Sequence, residues 1–174
     1  WLTEYDAILY PISADECSGD DTCPSGSFSD VAEQSWYHHQ LDAAIQMGWI
    51  KGMSHSTFEP DISIDRAMLG TVLYRAAGEP KYTSTSPFLD VSPNAYYYHA
   101  VCWAAEKGIV KGISETQFAP NQPASREMIA VILHRMANLP KSDTLPPFTD
   151  AEQISFYARE ALAWAAKEKI FTGY

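Results

Sequence analysis

The sequence predicts a mainly helical fold in which one unit of about sixty residues is repeated in tandem. Landmark residues recur at a constant spacing along the chain. Each copy also carries two stretches in which apolar residues return every three or four positions, as on one face of a helix. Because two short helices cannot bury both apolar faces alone, we expect neighbouring units to pack on one another, with three units closing around a pseudo-threefold axis.

Residues of the same type are separated by sixty positions without a gap. The pairs are Phe28/Phe88, Asp30/Asp90, Gly48/Gly108, Lys51/Lys111, Gly52/Gly112, Phe58/Phe118, Pro60/Pro120, Arg66/Arg126 and Arg75/Arg135. A third copy opens at Phe148, contains one inserted residue and stops at Tyr174, before the second half of the unit. A fixed period of this length is typical of repeat architectures.

The repeat defines the expected organisation. Two complete units span residues 28–80 and 88–140, and residues 148–174 form the first half of a third. Residues 4–10 align with the second helix of a unit, so residues 1–27 are interpreted as a half-unit helix followed by a cysteine-containing linker. We expect one compact domain in which the N-terminal helix completes the third unit, either within the chain or by self-association with a partner. Since the chain begins at Trp1 without a Met, we expect a processed product or a fragment.

Start and stop signals bound the helices of each unit. The first helix carries Leu41, Ala44 and Ile45 on one face and ends at Gly48, since glycine suits a left-handed helix stop. Lys169 takes this place in the third copy, so we expect that helix to end less cleanly. The second helix begins after Asp65 or Ser125, two good N-cap residues.

Aromatic residues recur immediately before the first helix of each copy. We expect these six to belong to the packed core, although aromatic rings also stack on sugars. They are Trp36, Tyr37, Tyr96, Tyr97, Phe156 and Tyr157.

Composition excludes several classes of function. The chain has a net charge of −10 and no basic run, which argues against nucleic acid and anionic lipid as partners. It lacks an apolar stretch long enough to insert into a membrane. There is no nucleophile elbow, no phosphate-binding glycine loop and no zinc spacing among the histidines, so we expect no enzyme activity, no cofactor and no metal.

The chain has three cysteines. Cys17 and Cys23 flank a short polar loop, and we predict a disulfide between them; two free thiols are the alternative. Cys102 aligns with Asp42, off the apolar face of its helix, and is expected to be partly exposed.

The ordered set of motifs resembles the S-layer homology module of bacterial surface proteins. The matching positions in the first copy are Phe28, Asp30, Val31, Trp36, Tyr37, Ala44, Gly48, Ile50, Gly52, Phe58, Pro60, Ile64, Asp65, Arg66 and Ala67. The resemblance covers residues 28–174 and, more weakly, residues 1–10. It implies a mainly α fold, a three-pronged helical prism of three helix-loop-helix modules.

The resemblance also implies a function at the cell surface or in the cell wall. Such domains attach bacterial surface proteins non-covalently to a secondary cell-wall polysaccharide, often a pyruvylated and therefore anionic one. The ligand lies in grooves between modules, where the motif arginine is joined by the glycine loop of the adjacent module. The candidate ligand-binding residues at these positions are Arg66, Arg126, Asp65, Ser125, Gly52 and Gly112. Lys51 and Lys111, which precede the loop glycines, are further candidates for contact with an acidic glycan, and a solvated lysine is the alternative.

Residue chemistry supports the two arginines. Arg66 and Arg126 follow the N-cap, where a cation opposes the helix dipole and costs about 0.3 kcal/mol or more. Free N–H groups and an arginine at one spot would suit a carboxylate ligand. A surface arginine paired with a nearby acid is the alternative.

The chain departs from the family pattern at other positions. Met68 and Met128 replace the motif glutamate, and Leu2 falls at the arginine position of the N-terminal half-unit. At most two grooves therefore carry the arginine. A structural or assembly module with decayed glycan sites, or direct peptidoglycan binding, are the alternative functions.

Overall fold

The computed structural model describes residues 23–142, 144 and 148–171, and this part of the chain is mainly helical as predicted. Five α-helices follow one another: α1 (His38–Gln46), α2 (Arg66–Ala76), α3 (Tyr98–Glu106), α4 (Arg126–Met136) and α5 (Arg159–Lys167). Short 3-10 turns cover Pro24–Ser27, Ala151–Gln153 and Phe156–Ala158. The described residues contain no β-strand beyond one isolated bridge between Asp65 and Pro123. Residues 1–10, Cys17 and Leu2 lie outside the described residues.

The second helix of each complete unit begins where the sequence predicts. The carboxylate of Asp65 accepts a hydrogen bond from the Met68 amide at 2.7 Å, and the Ser125 hydroxyl accepts one from the Met128 amide at 3.2 Å. Both side chains satisfy an N–H group that has no partner within the helix. The N-cap interpretation of Asp65 and Ser125 is confirmed.

The first helix of every copy ends in the same way, including the third. Gly48 and Gly108 have φ values of 74° and 68°, and Lys169 adopts a φ of 59°. The Lys169 amide donates to Ala166 O just as the Gly108 amide donates to Ala105 O. The expectation that the third helix ends less cleanly is wrong, because the backbone hydrogen bonds hold lysine in the left-handed region despite a cost of about 1 kcal/mol.

The helices pack across unit boundaries. Helix α2 of the first unit packs against α3 of the second, and α4 of the second packs against α5 of the third. An aromatic pair marks each contact at the same repeat position. The ring centroids of Tyr74 and Trp103 lie 5.5 Å apart, and those of His134 and Trp164 lie 5.4 Å apart. The prediction that units bury their apolar faces on one another is confirmed for these pairs.

Cys102 corrects an expectation. It is buried in α3, beside Tyr98 and the backbone of Ser86, and burial raises the pKa of its thiol. The face of the helix that carries Cys102 is covered by the linker between the first two units. The pattern of apolar residues along the helix could not predict the burial of Cys102, because the segment that covers it is polar.

The carboxylate of Glu106 fixes this linker to the end of α3. It accepts hydrogen bonds from the amides of Thr83 and Ser84, both at 2.8 Å, and from the Thr83 hydroxyl at 3.0 Å. These donors lower the pKa of Glu106 from 4.5 to about 2. The linker thus has a defined anchor although it has no regular secondary structure. None of the described helices is long and apolar enough to cross a membrane.

The Glu106 anchor predicts a specific loss of stability in acid. The pKa of Glu106 is lower in the folded chain than its usual 4.5. Its contribution to the free energy of unfolding is therefore complete above pH 4.5 and is lost as the pH falls towards about 2. Urea unfolding of the wild type should therefore weaken more between pH 5 and about 2 than that of Glu106→Gln. Glu115→Gln, which removes an exposed carboxylate elsewhere, should behave like the wild type. Equal acid dependence in all three would contradict the anchor.

Candidate functional site

Arg66 reaches from the first unit into the loop of the second. Its Nε donates to the Phe118 carbonyl and its Nη2 to the Lys111 carbonyl, both at 2.8 Å. The guanidinium carbon also lies 4.5 Å from the centroid of the Phe118 ring. The residue is only 8% exposed, and burial lowers the pKa of its guanidinium while the charge of Asp90 opposes that change. Arg66 is therefore an internal link between adjacent units.

Backbone hydrogen bonds run beside this link. The amides of Arg66 and Ala67 donate to Gln122 O and Pro120 O, each at 3.0 Å, and the amide of Ala124 donates to Ile64 O at 2.9 Å. We call this contact, formed by residues 64–67 with Lys111 and residues 118–124, the first junction. The free N–H groups expected at the start of α2 are already used by the neighbouring unit. A ligand-binding role for Arg66 stays a prediction. The backbone N–H groups at the start of α2 cannot contribute to it, because they already bind the neighbouring unit.

An aspartate at the start of each complete unit holds the loop of that unit, and in the second unit this loop receives Arg66. Asp90 accepts from the amides of Phe118 and Ala119 at 2.8 and 2.7 Å, and Asp30 accepts from the corresponding amides of the first unit. Burial raises the pKa of Asp90, but these hydrogen bonds and the charge of Arg66 lower it overall. Ala119 is held at a φ of 59°, a strained region for a residue before proline.

The two glycines proposed as ligand contacts have a packing role. A Cβ on Gly112 would lie 2.3 Å from Ser114 O and 2.4 Å from Gln117 O, and one on Gly52 would lie 2.3 Å from the Phe28 ring. Any larger residue would force the loop apart. The side chains of Lys51 and Lys111, which precede these glycines, are exposed to solvent. The structure thus places Lys111 at the first junction, with its carbonyl bound by Arg66 and its ammonium group outside.

Arg126 occupies the same repeat position as Arg66 but is exposed. Its guanidinium carbon lies 5.0 Å from the centroid of the Phe171 ring, in the third copy. The adjacent Glu127 accepts from the Ser155 amide at 2.8 Å and from the Tyr157 hydroxyl at 3.3 Å. We call this contact of residues 126–127 with residues 155–157 and Phe171 the second junction. It begins at the same repeat position as the first, Arg126 in place of Arg66, but it uses a different part of the next unit and leaves the arginine at the surface.

The repeated aromatics correct another expectation. Trp36 is 88% exposed, Phe156 is 93% exposed, and Tyr96 and Tyr157 are also at the surface. Tyr37 and Tyr97 are half-buried and meet the preceding rings edge-on. The core interpretation is wrong for the four exposed rings, because they precede the helix and project from the turn.

Two of these rings lie at junctions. Tyr96 lies within electrostatic range of Asp65 and Arg75, and burial, with the charge of Asp65, raises the pKa of its hydroxyl. Tyr157 binds Glu127 at the second junction, directly after the exposed Phe156. An exposed cation, Lys111 or Arg126, and an exposed aromatic ring thus occur at or beside each junction. Recurrence at a repeat position did not distinguish this surface role from a core role.

Cysteine and histidine residues form a separate group in the first unit. Cys23 is disulfide-bonded, and Cys17, its predicted partner, lies outside the described residues. Potential ligand atoms of Cys23, His38 and Asp42 lie within 4.8 Å of one another. Inspection of histidine spacing alone missed this group, although His38 and Asp42 are four residues apart on one helix face.

Comparisons with known proteins agree with the repeat. A family model described as "S-layer homology domain" matches residues 87–127 and 147–174. The "Surface-layer 125 kDa protein" of Lysinibacillus sphaericus is 31% identical over 133 residues, which are 76% of this chain and 11% of that protein. The "Endoglucanase" of Bacillus sp. (strain KSM-635) is 29% identical over 151 residues, which are 84% of the chain and 16% of that enzyme. "S-layer protein EA1" of Bacillus anthracis is 26% identical over 113 residues, 65% of the chain and 13% of that protein. The chain spans less than a fifth of the length of these relatives.

The different burial of the two arginines predicts different effects on stability. Arg66→Ala should lower the free energy of unfolding by about 3 kcal/mol, because it removes two hydrogen bonds from a charged group and leaves buried carbonyls unpaired. Arg126→Ala, the matched change at an exposed site, should cost less than about 0.5 kcal/mol. Urea unfolding monitored by circular dichroism measures both. Similar small losses for the two variants would show that Arg66 does not link the units.

Proposed function

Because this chain belongs to the S-layer homology domain family, we propose that it anchors its parent protein to an anionic secondary cell-wall polysaccharide, bound at the junctions between units. Family membership makes the chain a cell-surface anchoring module and gives its location as the cell surface or cell wall. The charge of the polysaccharide, pyruvyl groups on it, the residues that bind it and the absence of catalysis in this chain are parts of the proposal.

The observation that carries the proposal is that an exposed cation and an exposed aromatic ring occur at or beside each junction. These residues are Arg126 and Phe156 at the second junction, and Lys111 and Tyr96 at the first. A carboxylate-bearing sugar needs both features, since a cation binds the acid and an aromatic face covers the apolar side of the ring. The chain as a whole carries a charge of −10, so an anionic polymer must be held by local cations.

The two arginines have different roles in this proposal. Arg126 contacts the acidic group directly, through its exposed guanidinium. Arg66 acts through Lys111: by holding the Lys111 carbonyl at 2.8 Å, it fixes the backbone from which the ammonium group projects. Lys51 occupies the equivalent loop position in the first unit and is also exposed. Asp65 and Ser125 hold the helix starts, and Gly52 and Gly112 allow the close loop that brings the lysines to the surface.

The relatives leave the activity of the parent protein open. One relative is named as a surface-layer protein and another as an endoglucanase, and the chain covers 11% and 16% of them. The same anchoring module is thus compatible with parents of different function. Nothing in the proposal assigns catalysis to the residues at either junction.

Sedimentation with cell-wall sacculi tests the proposal. The wild type should pellet with sacculi, and sacculi stripped of their secondary polymer should lose most of this binding. Arg126→Ala and Lys111→Ala should each weaken binding at least about tenfold, as expected for loss of a charge-assisted hydrogen bond. Lys107→Ala, which removes an exposed lysine at the end of α3, is the matched control and should bind normally. Binding should also weaken as salt is raised.

Two results would contradict the proposal. Equal binding to stripped sacculi would favour direct contact with peptidoglycan. Full binding by the Arg126→Ala and Lys111→Ala double variant would favour a structural or assembly module whose glycan sites have decayed.

A further inference from the structure

A buried polar cluster lies under α1, apart from both junctions. His38 and Asp42 are 4% and 5% exposed, and Ser25 is fully buried. The Ser25 amide donates to Oδ1 of Asp42 at 2.8 Å, which fixes the carboxylate between the helix and the Pro24–Ser27 turn. Buried charged and polar groups are costly unless they are paired or bound to a metal.

Some polar side-chain atoms in this cluster lack a hydrogen-bond partner in the part of the chain that the structure describes. Among the described residues, Nδ1 of His38 and Oδ2 of Asp42 have no hydrogen-bond partner, and they lie 3.5 Å apart. The sulfur of Cys23 lies within 4.8 Å of both. A buried imidazole nitrogen and a buried carboxylate oxygen therefore lie close to a third potential ligand atom.

We propose that Cys23, His38 and Asp42 form a Zn²⁺ site when Cys23 is a thiol, and that disulfide formation at Cys23 abolishes it. Thiolate, imidazole and carboxylate are the ligands that Zn²⁺ takes in proteins, at about 2.0–2.3 Å, so ligand atoms around a tetrahedral ion lie about 3–4 Å apart. A small contraction of the present spacing meets that requirement. A water molecule would supply the fourth ligand.

Reduction of the disulfide and binding of the metal are two separate, balanced steps. A dithiol reductant supplies two electrons and two protons to the disulfide, giving two thiols and the oxidised reductant. Zn²⁺ then replaces the proton of the Cys23 thiol and binds neutral His38 and ionised Asp42. The metal and the disulfide compete for the same sulfur, so the oxidised chain cannot hold the ion in this way.

The reduced and the oxidised form of this site would occur at different stages in the life of a surface protein. Such a chain is made in a reducing compartment and acts in an oxidising one. Before oxidation, the metal would hold the Pro24–Ser27 turn against α1 and protect the Cys23 thiol. This inference is independent of the polysaccharide proposal, and neither fails with the other.

Cobalt binding tests the site directly. In Cys17→Ser, Cys23 loses its predicted partner and remains a thiol without added reductant. This variant should take up one Co²⁺ per chain with a thiolate-to-cobalt charge-transfer band, and Zn²⁺ should displace the cobalt. The double variant Cys17→Ser/Cys23→Ser keeps only Cys102 and should lack the band. The oxidised wild type should also lack it, and reduction by a phosphine should restore it.

Ligand variants on the Cys17→Ser background separate the site from chance binding. His38→Gln and Asp42→Asn should each weaken cobalt binding by more than about tenfold, while His39→Gln, the neighbouring histidine, should leave it unchanged. Circular dichroism of each metal-free variant verifies that it folds; Asp42→Asn keeps an acceptor for Ser25. Absence of the band in Cys17→Ser, the same band in the double variant, or undiminished affinity in folded His38→Gln or Asp42→Asn would overturn the proposal.

Discussion

The insertion of Arg66 into the loop of the following unit is the contact on which the rest of the structure depends. A guanidinium has enough donors to bind two carbonyls at once, and here those carbonyls belong to Lys111 and Phe118, on either side of one loop. Asp90 holds the same loop from within its own unit. Burial of this charged group is tolerated because its Nε and Nη2 atoms donate hydrogen bonds and the Phe118 ring lies against the guanidinium.

This contact explains why the helices pair across unit boundaries. The short helices of a unit are joined through a loop, and the apolar faces of α2 and α4 are buried against α3 and α5 of the following units. The junction sets the start of α2 against the neighbouring loop, so α2 can lie along α3 and bring Tyr74 onto Trp103. At the second junction α4 and α5 pair in the same way, but Arg126 is exposed and Glu127 makes the polar contact. The same arginine position thus links two units internally at the first junction and lies at the surface, beside Phe171, at the second.

Features with a local physical cause could be predicted from the sequence. The N-caps Asp65 and Ser125 and the glycine helix ends follow from short-range rules, and the structure confirms them. Contacts between distant residues could not be predicted. Asp90 binds an amide 28 residues away, and a polar linker buries Cys102. The exposure of Trp36 and Phe156 was missed because recurrence shows that a position matters, without showing which side of it faces water.

Native-state hydrogen exchange tests most directly whether the first junction joins the units into one cooperative structure. The amides of Arg66, Ala67 and Ala124 cross the junction, whereas amides in the middle of α2 report on the helix alone. If the units unfold together, the junction amides and the α2 amides should exchange with the same free energy of opening. Junction amides that exchange orders of magnitude faster than those of α2 would show that the units are held separately, and would contradict the central role given to Arg66.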